Sequence, residues 1–286
     1  MGLPDLLLPL LAAQAAASAS PAALLPSERA VEVRRLDAAE ARQGVVADRD
    51  FVYAISNSRI AKLDKRSGRT MDVWEGDPAQ FIHMNSCSLE GATLACAASN
   101  YPEVPMASSV EWFDARTLRH LGSRSFGPGR GSLTWLDWHR GSWWACFAHY
   151  GGKGGEPGRD NRWTRLVRLD RDFREQEAWL FPKTLLDRMA PYSSSGGSWG
   201  SDGLLYVTGH DHPELYALRL PEAGSRLELV ATVAIPTNGQ AIAWDASEPR
   251  LLWSIERSTR QLVASRIPEL AADRMDRPAT PSPNRR

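Results

Sequence analysis

The sequence predicts an all-β chain folded as a five-bladed β-propeller closed by an N-terminal strand. Three observations carry that prediction. Short strands recur in groups of four. The ends of the second strands fall at Ser56, Ser99, His149, His210 and Glu256, spaced by 43, 50, 61 and 46 residues. The last group is one strand short, and a spare strand stands at the start of the chain, where it can complete the ring and leave no long free sheet edge.

The elements follow in order. Val31–Leu36 alternates apolar and polar residues, as a half-buried closing strand does. The first blade comprises Gln43–Ala47, Phe51–Ser56, Arg59–Asp64 and Thr70–Trp74, joined by short turns. The second runs through Asn85–Ser88, Thr93–Ser99, Ser109–Asp114 and Arg119–Ser123, and the third through Leu133–Asp137, Trp143–Tyr150, Leu166–Asp170 and Gln176–Leu180. The fourth has Gly197–Gly200, Leu204–Gly209, Leu215–Leu218 and Leu227–Val230. The fifth stops after Ala241–Trp244, Leu251–Ile255 and Leu262–Ser265. Third strands end in an apolar residue and Asp at Asp64, Asp114 and Asp170, and Asp suits the first position of a type I turn. Lys183–Met189 and Pro268–Met275 read as short helices. The tryptophans, among them Trp144, Trp199, Trp244 and Trp253, fall mostly on strands, as packing residues between blades.

The propeller is expected over residues 30–268, after a leader and before a tail. Met1–Ala23 holds an apolar run from Leu6 to Ala17 and a small-residue site at Ala17-Ser18-Ala19, the pattern of a signal peptide over 1–19. Asp5 and the lack of Lys or Arg before the run depart from that pattern. The expectation is an exported protein, periplasmic or extracellular, monomeric, with no integral membrane segment once the signal is cleaved. Residues 272–286, with Pro278, Pro281 and Pro283, read as a disordered tail. The 286 residues carry 34 basic and 34 acidic side chains, a balance that excludes a general nucleic-acid binder. Cys87 and Cys96 flank the Leu89–Ala92 turn, so a disulfide is feasible there, although buried thiols are the commoner outcome. No Cys/His cluster suggests structural zinc.

Loops joining second to third strands share one face, here the upper face, with the links between blades. That face is long-looped and His-bearing, and the turns opposite are tight, so function is expected at the upper face. His149, His210 and Glu256 end the second strands of three successive blades. These residue types perform acid–base chemistry or hold a divalent metal, and hydrogen-bonded rim histidines are the bland alternative. The candidate catalytic residues are therefore His149, His210 and Glu256, with a divalent metal as an open option for the cofactor. Asn57, Asn100, Tyr150, Asp211 and Arg257 follow these strand ends and are all polar. Candidate substrate contacts are His83, Asn85, Asn100, Tyr101, Tyr150, Asp211, His212 and Gln240. Ser193–Ser195 lacks a nucleophile elbow, and Gly151–Gly155 lacks phosphate-loop spacing and reads as a flexible tip or lid.

Gln43-Gly44 before an inner strand, the stretch IAKLDKRSGRTMDVWE over 60–75, and NGQAIAWD over 238–245 followed by RLLWSIE give a further clue. They resemble the plant-type glutamine cyclotransferase family, secreted five-bladed propellers closed by an N-terminal strand. The resemblance implies that architecture. The family places a glutamate soon after the second strand of its first blade begins, and Tyr53–Asn57 has none, so the activity is not carried over. The expected function is action on a small polar molecule or glycan at the loop-rich face, as a hydrolase, lyase or transferase. The competing class is a non-catalytic propeller that binds a ligand or protein.

Overall fold

The computed structural model describes residues 24–270. The expected leader over 1–19 and tail over 272–286 lie outside the described residues. Five antiparallel sheets follow one another along the chain. The first four take their inner to outer strands consecutively from Gly44–Glu75, His83–Pro128, Ser132–Leu180 and Gly196–Ala234. The fifth is built from Ile242–Trp244, Leu251–Glu256 and Gln261–Arg266, and Val31–Asp37 adds its outer strand. Closure is antiparallel, pairing Arg35 with Val263 and Leu36 with Leu262. The protein is a five-bladed β-propeller.

Five hydrophobic clusters hold it together, each between two neighbouring blades. The strand Ser142–Ala148 shows how one sequence serves two of them. Successive side chains of a strand point to opposite faces. Trp143, Ala145 and Phe147 therefore pack toward the second blade, while Trp144 and Cys146 pack toward the fourth. Burial of both faces explains why second strands read as nearly continuous apolar runs.

The outer strands differ. Val31 and Val33 of the closing strand are 65% and 52% exposed, so the strand is not half-buried as its alternation suggested. Blades splay apart at the ring's edge, and only Leu36 of this strand packs against the core cluster shared by the first and fifth blades. A two-residue strand, Glu28–Arg29, adds to the outside of the fourth blade in parallel, which the sequence pattern did not announce.

Near the axis the chain is crowded instead. A Cβ on Gly44 would sit 2.5 Å from the Asn85 carbonyl oxygen, and one on Gly196 would sit 2.4 Å from that of Gln240. Glycine at these inner-strand starts lets neighbouring blades touch backbone to backbone. Side chains stitch the same region: Asn85 Nδ2 donates to Leu133 O at 2.9 Å, and Thr134 Oγ1 donates to Ser194 O at 2.8 Å.

The turn reading holds. Asp64 Oδ1 accepts from the backbone N–H groups of Arg66 and Ser67, Asp114 Oδ1 from those of Arg116 and Thr117, and Asp170 Oδ1 from that of Asp172. The helix at Lys183–Met189 is present. Of the second expected helix, the described part Pro268–Leu270 is not helical, and the rest lies outside the described residues. Cys87 and Cys96 face each other in the antiparallel register and form a disulfide, in place of the expected thiols. Among the described residues no helix is long and apolar enough to cross a membrane.

Candidate functional site

The upper mouth of the channel is defined by two groups of side chains. One is centred on His210, beyond the second strand of the fourth blade. Its Nδ1 is hydrogen-bonded to Asp211 Oδ1, and its Nε2 lies 3.0 Å from Arg257 Nη1. Guanidinium groups only donate, so Nε2 accepts and the ring proton sits on Nδ1, facing Asp211. Tyr192 stacks on the imidazole with ring centroids 4.0 Å apart. Gln240 Nε2 donates to the His210 carbonyl at 3.3 Å and holds the segment against the next blade.

The second group is a chain of rings. His83 and Tyr101 stand 5.0 Å apart, and Tyr101 meets Tyr150 edge-on at 5.3 Å. Ser132 hydrogen-bonds Tyr150, and burial pushes the phenol's pKa up. Burial, reinforced by the charge of Arg257, lowers His83 to about 4, so this imidazole is neutral at pH 7. Burial also raises Tyr101, with Tyr192 adding to the shift and Arg257 opposing it. The charge of Arg257, which hydrogen-bonds His210, therefore also acts on His83 and Tyr101 of the second group.

Arg257 is the main charge there. It is half-buried, and desolvation lowers its pKa, as do the nearby charges of Arg42 and Arg260. Among the described residues no carboxylate forms an ion pair with it. Asp211 attracts it from behind His210.

The remaining expected residues have other partners. His149 is buried, with Nδ1 3.4 Å from Glu156 Oε2, and its backbone N–H donates to Thr164 Oγ1. Burial lowers its pKa, with Glu156 opposing. Glu156 itself accepts from the Met106 N–H at 3.0 Å, so this pair pins the 151–161 loop to the second blade. Glu256 turns back on its own loop, accepting from Ser258 Oγ and N and from Asn238 N and Nδ2. Burial alone would raise its pKa, and the bonds from Ser258 and Asn238 bring it below the usual range. Asn100 closes its own loop through Ala107 N and Pro105 O. The His212 carbonyl accepts from Glu214 N. Asn85 donates to the Leu133 carbonyl, and its side chain also hydrogen-bonds His83.

His210, Asp211, His83, Tyr101, Tyr150 and Gln240 are therefore brought to one mouth, whereas His149 and Glu256 are held by separate partners. Among the described residues, no three His, Cys, Asp or Glu side chains form a group that could hold a metal ion. Arg257 and Tyr192 complete the mouth without having been assigned a role from sequence. In the third and fifth blades the residue after the expected one, Tyr150 and Arg257, is the one that meets it. Strand alternation is the signal that finds them: if Glu256 faces its own turn, its neighbour faces the other way.

The site and fold together define a five-bladed propeller with a cationic, aromatic-sided mouth. No protein-family profile matches the chain, and no curated protein matches it. Solved structures that resemble it are propellers of diverse kinds. A luciferin-regenerating enzyme is 11% identical with a TM-score of 0.48, covering 83% of this chain and 96% of that one. The PQQ-bound aldose sugar dehydrogenase of Streptomyces coelicolor is 14% identical with a TM-score of 0.48, over 80% and 79% of the two chains. The WD40 repeats of RRP9 are 10% identical with a TM-score of 0.43, over 83% and 96%. Likenesses at this level carry no argument about activity or substrate.

Proposed function

We propose that this is an exported propeller that binds a small anionic polar molecule, such as an acidic sugar or other carboxylate, at its upper mouth. The observation that supports it is Arg257: a half-buried guanidinium, oriented by a neutral imidazole and lacking a carboxylate partner among the described residues. Burying a cation without an anion is costly, and a ligand carboxylate or phosphate offsets that cost through charge-assisted hydrogen bonds. Tyr192, stacked on His210, and Tyr101, which meets His83 and Tyr150, supply rings on which a sugar or planar group can pack. Export is supported by the apolar run in Met1–Ala23 and agrees with the Cys87–Cys96 disulfide.

A second reading rests on His83. Its imidazole stays an unprotonated acceptor down to about pH 4, so the same mouth supports acid–base chemistry on its ligand with His83 as a weak base. Titration of the mature protein with small carboxylates, acidic sugars and their neutral analogues tests the binding reading. Affinity for the anions alone, falling with added salt and lost in Arg257→Gln, supports it; equal response to neutral analogues contradicts it. Turnover of a bound anion that stops in His83→Gln while binding persists would establish the second reading.

A further inference from the structure

Arg257 does not stand alone at the upper mouth. The link entering the first blade, residues 38–43, is hydrogen-bonded to the turn that carries Arg257. Ala38 N donates to Arg260 O at 2.9 Å, and Arg260 Nη1 donates to Ala39 O at 3.0 Å. The far end of the same link is fixed to the upper end of the first blade. There Gln43 N donates to Ile55 O at 2.9 Å, and Gln43 Nε2 donates to Asn57 Oδ1 at 3.1 Å. Ring closure thus places Arg42, Arg257 and Arg260 on two adjoining segments, although they stand near opposite ends of the sequence.

Like charges so gathered repel one another, and the carboxylates around them are engaged elsewhere. Glu40, two residues before Arg42, accepts from Arg59 Nε at 3.2 Å. Glu256 is held by Ser258 and Asn238, and Asp211 by His210. Among the described residues none of the three arginines forms an ion pair with a carboxylate. Desolvation lowers the pKa of Arg257 most, and the charges of Arg42 and Arg260 lower it further, so the guanidiniums act on one another directly.

The three groups are not equivalent. The Arg260 guanidinium is tied to the Ala39 carbonyl. Arg257 is half-buried and Arg42 is exposed, so two cations stand at two depths of one mouth. A ligand with a single carboxylate offsets one of them. A phosphate brings both its charges to a single point. A ligand with a carboxylate at each end meets both through charge-assisted hydrogen bonds. Exposed charges act on one another over about 8–10 Å at physiological salt, and a backbone of about four to six carbons keeps both carboxylates within that span. We propose that the upper mouth takes a small dicarboxylate, with one carboxylate on Arg257 and the other on Arg42. The proposal rests on the anion-binding reading above and narrows its ligand.

The test is calorimetric titration of the mature protein at neutral pH with matched pairs of probes. Succinate is set against butyrate and glucarate against gluconate, with inorganic phosphate as the compact anion. In at least one pair the dicarboxylate should bind about tenfold tighter or more than its monocarboxylate partner, and tighter than phosphate. Arg42→Gln should weaken the dicarboxylate by about tenfold and leave the monocarboxylate within about twofold, which also shows that the variant is folded. Arg219→Gln, the same loss of charge on the fourth blade, should change neither. Arg257→Gln should weaken both classes. The proposal is overturned if each dicarboxylate binds no tighter than its partner, if phosphate binds tighter than both dicarboxylates, or if Arg42→Gln binds dicarboxylates as the native protein does. In those cases monocarboxylate binding that still falls in Arg257→Gln leaves the broader reading standing. Anion binding that ignores Arg257→Gln, or no binding of any probe at about 100 mM, defeats the broader reading and this proposal together.

Discussion

Arg257 Nη1 donates to His210 Nε2 across 3.0 Å, joining the fifth blade to the fourth at the upper mouth. Asp211 on the other ring nitrogen completes a chain in which carboxylate, imidazole and guanidinium each fix the next. His210 is thus a positioning residue for the Arg257 guanidinium. His210→Phe should retain the ring stacked on Tyr192 and lose the acceptor. We expect anion affinity to fall about tenfold while unfolding free energy changes by less than about 1 kcal/mol, measured by calorimetry and urea titration.

His83 makes the protein acid-sensitive. Its folded pKa of about 4 lies below the value near 6.5 expected when unfolded, so the unfolded chain binds the extra proton between them. Stability is therefore lost as pH falls from about 6.5 to 4, by at most about 3 kcal/mol. Asp137 acts in the opposite sense: burial raises its pKa to about 6, so the folded state takes up the proton first and gains stability as pH falls through that value. His83→Gln should leave only the second effect of this pair. Urea unfolding at about pH 7 and pH 4.5 should then show the variant losing less stability on acidification than the native chain. Identical losses would contradict the burial assigned to His83.

The ring is clasped by a buried ion pair. Lys65 Nζ lies 2.6 Å from Asp245 Oδ2, and both residues are buried where the first blade meets the fifth. Burial alone would raise the pKa of Asp245, but Lys65, Trp253 and Ser247 together lower it. Asp245→Asn or Lys65→Met leaves an uncompensated partner and should cost about 3–5 kcal/mol in urea unfolding. The double change Lys65→Met with Asp245→Leu should cost clearly less than the sum of the two single changes.

Thiol chemistry gives a simple check. Cys87 and Cys96 are joined, and Cys146 is buried, with its thiol pushed up to about 12. A thiol reagent should label no cysteine in the folded protein and Cys146 alone in denaturant without reductant. Replacing Cys87 and Cys96 by Ala should lower stability by about 2–3 kcal/mol, the loop-closure effect of so short a loop.

Much of the architecture was legible because blade packing depends on alternation and spacing. Trp143–Phe147 reads directly as a strand buried on both faces, and the repeat of Asp64, Asp114 and Asp170 marks the same turn in three blades. The mouth was harder to read, because one residue of register decides which side chain enters it. Sequence spacing singled out His149 and Glu256, but these are held by Glu156 and by Ser258 and Asn238, and the next residues, Tyr150 and Arg257, take the mouth. Arg42 was hidden for another reason. It is remote in sequence from Arg257, and only ring closure, with Ala38 N donating to Arg260 O, brings their segments together.

The most direct measurement is calorimetric titration of the mature protein with a panel of small carboxylates and acidic sugars, in parallel with Arg257→Gln and Arg257→Lys. We predict binding that weakens with salt, falls by about 10- to 100-fold in Arg257→Gln, and is only partly restored in Arg257→Lys, which keeps the charge and loses the planar fork. An Arg257→Gln protein that binds these anions as tightly as the native chain would contradict the account.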